Sequence, residues 1–147
     1  MYGLICWATA SKFLINKINV IHNKIIRYLT FSKACSRAWP LYCELKVIPL
    51  DIMIEIEWGK IMYKFQNNLL PEIFDSYFKR PSHQYATRYA AQDNFEQVRP
   101  TNSSKERTLL KYIGPKKWAE ISLDMKKANS LKKFIVMYRA HLIDTHD

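Results

Sequence analysis

The sequence predicts a mainly α-helical class, a small helical domain with a long polar loop and room for one or two short strands. Three observations predict it. Apolar residues recur at helical spacing in three stretches, proline falls where those stretches open or close, and 48% hydrophobic content in 147 residues is enough for one core.

The elements follow in order. "MYGLICWATASK" opens with an apolar run of about ten residues and no basic segment before it, too short for a membrane span and poorly shaped for a signal peptide. A soluble, intracellular, non-secreted chain is expected. From Lys12 to Phe31, Leu14, Ile18, Ile21, Ile25, Tyr28 and Leu29 fall on one helical face. Lys12, Asn16, Asn19, Asn23 and Arg27 fall on the other. The helix is expected to be amphipathic, and Lys17 and Lys24, seven apart, share a face near the polar side that gives it a basic strip.

A basic turn, "SKACSRAWP", closes at Pro40 before a short helical piece from Leu41 to Lys46. Pro49 breaks the chain, and Asp51 is expected to cap a helix to about Asn67, with Ile54, Trp58, Ile61, Met62 and Phe65 on its apolar face. Pro71 opens a short helix that exits at Pro81. Ser82 to Lys105 shows no period and reads as a polar loop. "RTLLKYIG", residues 107–114, reads as a strand or a buried turn stopped by Gly114-Pro115, and Pro115 begins a short helix carrying Trp118. Asn129 or Ser130 caps a last helix with a buried stripe of Leu131, Phe134, Ile135, Tyr138 and Leu142. The expected organisation is therefore a helical part over 1–78, a polar loop over 79–106 and a C-terminal helical part over 107–147.

Net charge is +10, and it is unevenly placed. Residues 1–46 carry seven Lys/Arg against one acid, 47–78 two against five, and 79–147 fourteen against seven. Two basic flanks bracket an acidic middle, a distribution that draws the flanks to polyanions. Cys6, Cys35 and Cys43 are odd in number and lack CxxC spacing, and the histidines form no HExxH or Cys/His finger, so no metal or cofactor is expected.

Three glycines cannot build a phosphate-cradling loop, no two aspartates are adjacent, and no nucleophile elbow is present. The chain is expected not to be an enzyme. What it does contain is cations beside aromatics: Arg27-Tyr28, Arg37 near Trp39, Tyr85 to Arg88-Tyr89, and Lys116-Lys117-Trp118. Cations neutralise phosphates while rings stack on exposed bases. An aromatic flanked by Lys also serves as a core anchor with its neighbours in water, and Trp7, Trp58 and Trp118 are expected to be such anchors.

Tyr2-Gly3 with Trp7, "HNKIIRYLTFSK", "PLYCELKVIPLD", "KIMYKFQNNLLPEIF", "YATR" and "KYIGPKKW" occur in one order. In that order they resemble the C-terminal region, thumb and following segment, of reverse transcriptases from LINE-type (non-LTR) retrotransposons. The resemblance covers nearly the whole chain; it departs at Ala8, where the pattern has glycine, and at "AEISLDM". It implies a piece that starts after the palm and its metal-binding aspartates, with residues 1–78 thumb-like. It also implies non-specific contact with an RNA or DNA backbone by the helix of Lys17, Lys24 and Arg27 and the turn of Lys33 and Arg37. Arg88, Lys116 and Lys117 are added as candidates on pattern alone. Two other readings stand beside this one: a non-functional relic that self-associates through the surface once facing a palm, and a peripheral protein using the basic amphipathic helix at a membrane surface.

Overall fold

The computed structural model describes residues 3–81, 92–97 and 109–145. Its elements are α1 (Leu4–Ala8), α2 (Lys12–Leu29), α3 (Ala38–Leu45), α4 (Leu50–Gln66), a 3-10 turn (Glu72–Phe74), α5 (Leu110–Glu120), α6 (Leu123–Lys126) and α7 (Leu131–Asp144). The fold is mainly helical, with no strand among the described residues. No helix among them is long and apolar enough to cross a membrane. Contacts divide the chain into two units, Met1–Glu55 and Ile56–Asp147.

In the first unit α2 packs against α3, but not by the face its apolar spacing suggests. Ile26 is the buried residue of α2, whereas Leu14, Ile18, Ile21, Ile25, Tyr28 and Leu29 are all exposed. Of the polar side, Asn19, Asn23 and Arg27 are half-buried, while Lys12 and Asn16 are exposed. The buried Tyr42 hydroxyl donates to Asn23 Oδ1 at 2.8 Å and lies 3.1 Å from His22 Nδ1, and Asn19 Nδ2 donates to Asp51 Oδ1 at 2.7 Å. The part-buried bond between Tyr42 and Asn23 offsets the desolvation of both groups, whereas the Asn19–Asp51 bond is exposed.

Asp51 is therefore not the cap expected of it. It stands in the first turn of α4, which opens one residue earlier, with Met53 N–H donating to the Pro49 carbonyl. Likewise α3 begins at Ala38, so Pro40 lies inside the first turn, where its missing N–H would have no helical acceptor anyway.

Helices α2, α3 and α4 end alike. Phe31, Lys46 and Asn68 take left-handed φ values of 52°, 54° and 54°, and the next residue's N–H returns to the carbonyl five positions back: Ser32 to Arg27, Val47 to Tyr42, Leu69 to Lys64. This is the Schellman closure, made without glycine. Cys6, Cys35 and Cys43 are exposed and form no disulfide.

The second unit is built on aromatic rings. Tyr63 stacks on Phe134 at 4.8 Å, Phe134 on Tyr138 at 5.5 Å, and Trp118 lies 6.0 Å from Phe134 and 6.4 Å from Phe95. Tyr63 also donates to the Ala128 carbonyl, tying α4 to the chain just before α7. Ser130 caps α7 by accepting from the Lys133 N–H. Of the stripe expected on α7, Phe134 and Tyr138 are buried, while Leu131, Ile135 and Leu142 pack partly buried against the core.

Two expectations for the Gly-Pro stretch are corrected. Residues 110–114 are neither strand nor turn but the first half of α5, and the helix continues through Gly114 and Pro115 to Glu120. Proline costs the Lys111 carbonyl its helical donor, but Lys111 is exposed and water can replace it. At Gly114 α5 packs closely on its neighbours: a Cβ there would lie 2.7 Å from Met62 Sδ and 3.2 Å from the Phe78 ring. Pro115 and Trp118 are fully buried. Phe95, in what reads as a polar loop, is buried too.

Candidate nucleic-acid interface

The C-terminal half of α2 and the turn after it enclose a groove of about 360 Å³ lined by Val20, Asn23, Lys24, Arg27, Tyr28, Ser32 and Ala34. The lining follows from helix geometry: Val20, Asn23, Lys24, Arg27 and Tyr28 recur at three- and four-residue spacing and so form one side of α2. The left-handed turn at Phe31 then brings Ser32 and Ala34 back toward that side.

Arg27 is half-buried and oriented by its Nε, which donates to the Ser36 carbonyl at 2.9 Å. Lys24, Lys33 and Arg37 are exposed. No carboxylate pairs with these four cations among the described residues. Tyr28, 78% exposed, offers a ring at the groove edge. Behind the groove, burial and then the Asp51 carboxylate raise the Tyr42 pKa while Arg27 lowers it, so Tyr42 stays a neutral donor to Asn23. The arrangement can neutralise phosphate oxygens and stack a ring on a base. No three His, Cys, Asp or Glu side chains gather for a metal among the described residues.

The other candidates are scattered. Lys17, upstream on α2, holds its ammonium 4.4 Å from the centre of the Phe13 ring. Lys116 and Lys117 belong to α5 in the second unit; Lys116 is exposed, and Lys117 pairs with Glu120 at 3.3 Å. Arg88 lies outside the described residues, as does the Trp7 side chain. Trp58 and Trp118 are buried at 3% and 0% exposure.

No family model matches the chain, and neither a curated protein nor a solved structure matches it. What the groove binds is therefore read from its own side chains.

One polar residue carries no signal in the sequence. Lys126, in the short α6, is buried, with its Nζ donating to Asn94 Oδ1 at 2.8 Å and to the Gln92 carbonyl at 3.1 Å. Burial lowers its pKa to about 8, against a smaller opposing pull from Asp93. Its neighbour Lys127 is exposed, so two adjacent lysines of identical appearance have opposite environments.

Proposed function

We propose that this chain is a non-catalytic nucleic-acid grip that binds RNA or DNA backbones without reading sequence. The observation that carries the reading is the convergence of Lys24, Arg27, Tyr28 and Ser32 on one groove. Lys33 and Arg37 flank it on the following turn. Cations, a hydroxyl and an exposed ring are the chemistry of phosphate contact and base stacking. The ordered resemblance to the C-terminal region of LINE-type reverse transcriptases supports the same reading, since a thumb-like helix there tracks a duplex by its backbone. We assign the chain to that ancestry on those residues alone.

The test is fluorescence anisotropy of a labelled RNA hairpin and a DNA duplex across a salt series. Binding in the micromolar range that weakens with salt by several released counterions is expected. Lys24→Glu with Lys33→Glu, both at exposed positions, should weaken binding and flatten the salt dependence. An unchanged salt slope in that variant would remove the groove from the interface.

A further inference from the structure

The outward face of α2 is apolar: Ile21, Ile25, Tyr28 and Leu29 are 56%, 48%, 78% and 61% exposed. Beyond them Phe31 is 97% exposed at a φ of 52°. A left-handed backbone at a residue with a Cβ costs stability, and a ring left in water recovers none of it by packing. Cations border the same strip. Lys17 and Lys24 precede Ile21 and Tyr28 by four residues and are their surface neighbours, and residues 12–37 carry six Lys/Arg with no Asp or Glu.

We propose that this face docks on an anionic lipid surface. Helix α2 lies in the membrane plane, its apolar strip and Phe31 entering the boundary between headgroups and acyl chains, with Lys17 and Lys24 on lipid phosphates. The charge selects this occupant over a second copy of the chain. Two such faces brought together would set Lys17 and Lys24 of each copy near those of the other with no acid in residues 12–37 to offset them, whereas an acidic bilayer offers both apolar depth and neutralising charge. Because Lys24 also lines the groove, nucleic acid and lipid would compete for it.

Flotation of the full chain with phosphatidylcholine vesicles, with and without phosphatidylserine, tests this. Binding should be about tenfold or more tighter on the acidic vesicles, since each cation at such a surface adds roughly a factor of five. Ile21→Asp with Ile25→Asp should abolish it. Phe31→Gly should weaken it while leaving the chain at least as resistant to heat, so that misfolding cannot explain the loss. Vesicle binding unchanged in both variants would reduce the effect to charge alone and overturn the proposal. So would self-association without vesicle binding, which would make a second copy the occupant, and so would RNA affinity lost in the Ile21/Ile25 variant, which would give the face to nucleic acid.

Discussion

The Lys126 ammonium lies 5.5 Å from the centre of the Trp118 ring, and both side chains hold the same stretch of backbone. Trp118 Nε1 donates to the Asp93 carbonyl at 2.9 Å, and Lys126 reaches the Gln92 carbonyl and Asn94. Phe95, next in the chain, is buried between the rings of Phe78 and Trp118 at 5.8 and 6.4 Å. Residues 92–95 are thus fixed by an indole, an amine and a core ring rather than by secondary structure.

That amine makes stability depend on pH. The folded chain releases the Lys126 proton above about pH 8, whereas the unfolded lysine keeps it to its ordinary value of 10.5. Between those values the unfolded state binds more protons, so stability rises with pH. Urea midpoints at pH 7.5 and 9.5 should show this rise in the wild type and a smaller one in Lys126→Met. Equal changes in the two proteins would place the effect elsewhere. Tyr42, with its raised pKa, acts in the opposite direction above pH 10, which is why the comparison stops below it.

Close packing at the two buried glycines predicts that better helix formers destabilise. A Cβ on Gly59 would lie 2.6 Å from the Tyr138 ring and 3.3 Å from that of Phe134. Gly59→Ala should cost about 1–3 kcal/mol by overpacking, against about 1 kcal/mol of helix propensity gained. Gly114→Ala should cost less, because its nearest contact is the thioether of Met62, which can move. Thermal unfolding of both variants would rank them, and a stabilised Gly59→Ala would contradict the packing described.

At Phe31 the sign reverses. Phe31→Gly should stabilise by about 0.5–1 kcal/mol, because glycine meets no steric penalty in the left-handed region and the exposed ring forfeits no packing. A lower melting temperature would show that the ring packs somewhere.

Tyr42→Phe should cost about 0.5–1.5 kcal/mol, since it removes the hydrogen bond to the half-buried Asn23. Chemical denaturation of this variant beside Asn23→Ala would show the pair's coupling. Strictly additive losses would mean that no shared bond exists.

The two groups of candidate lysines should separate in binding. Lys24→Ala should lower the salt slope for duplex DNA by about one counterion's worth, ~0.9, whereas Lys117→Ala should leave it nearly unchanged because Glu120 already engages that ammonium. Equal effects from both would spread the interface beyond the groove.

Helix placement was legible because spacing and proline positions are local properties. The extents of α2 and α4 differ from expectation by a residue or two at their ends, and α7 opens at the expected Ser130 cap. The orientation of α2 was not legible. Apolar periodicity names the cheaper face to bury, but Asn19 and Asn23 met Asp51 and Tyr42, partners 32 and 19 residues away that no local pattern reveals. The continuity of α5 through Pro115 was missed for a related reason, since a proline's cost depends on whether the stranded carbonyl reaches water. Of the groove, Lys24 and Arg27 could be named from the helix, while Ser32 and Ala34 depend on a left-handed Phe31 that residue type argues against.

All three cysteines are exposed and all fall in the first unit, with the groove and the outward face of α2. A maleimide dye would therefore mark the first unit without any engineered thiol. Air oxidation would join chains through that same unit, so a dimer on a sizing column has meaning only in the presence of a reductant.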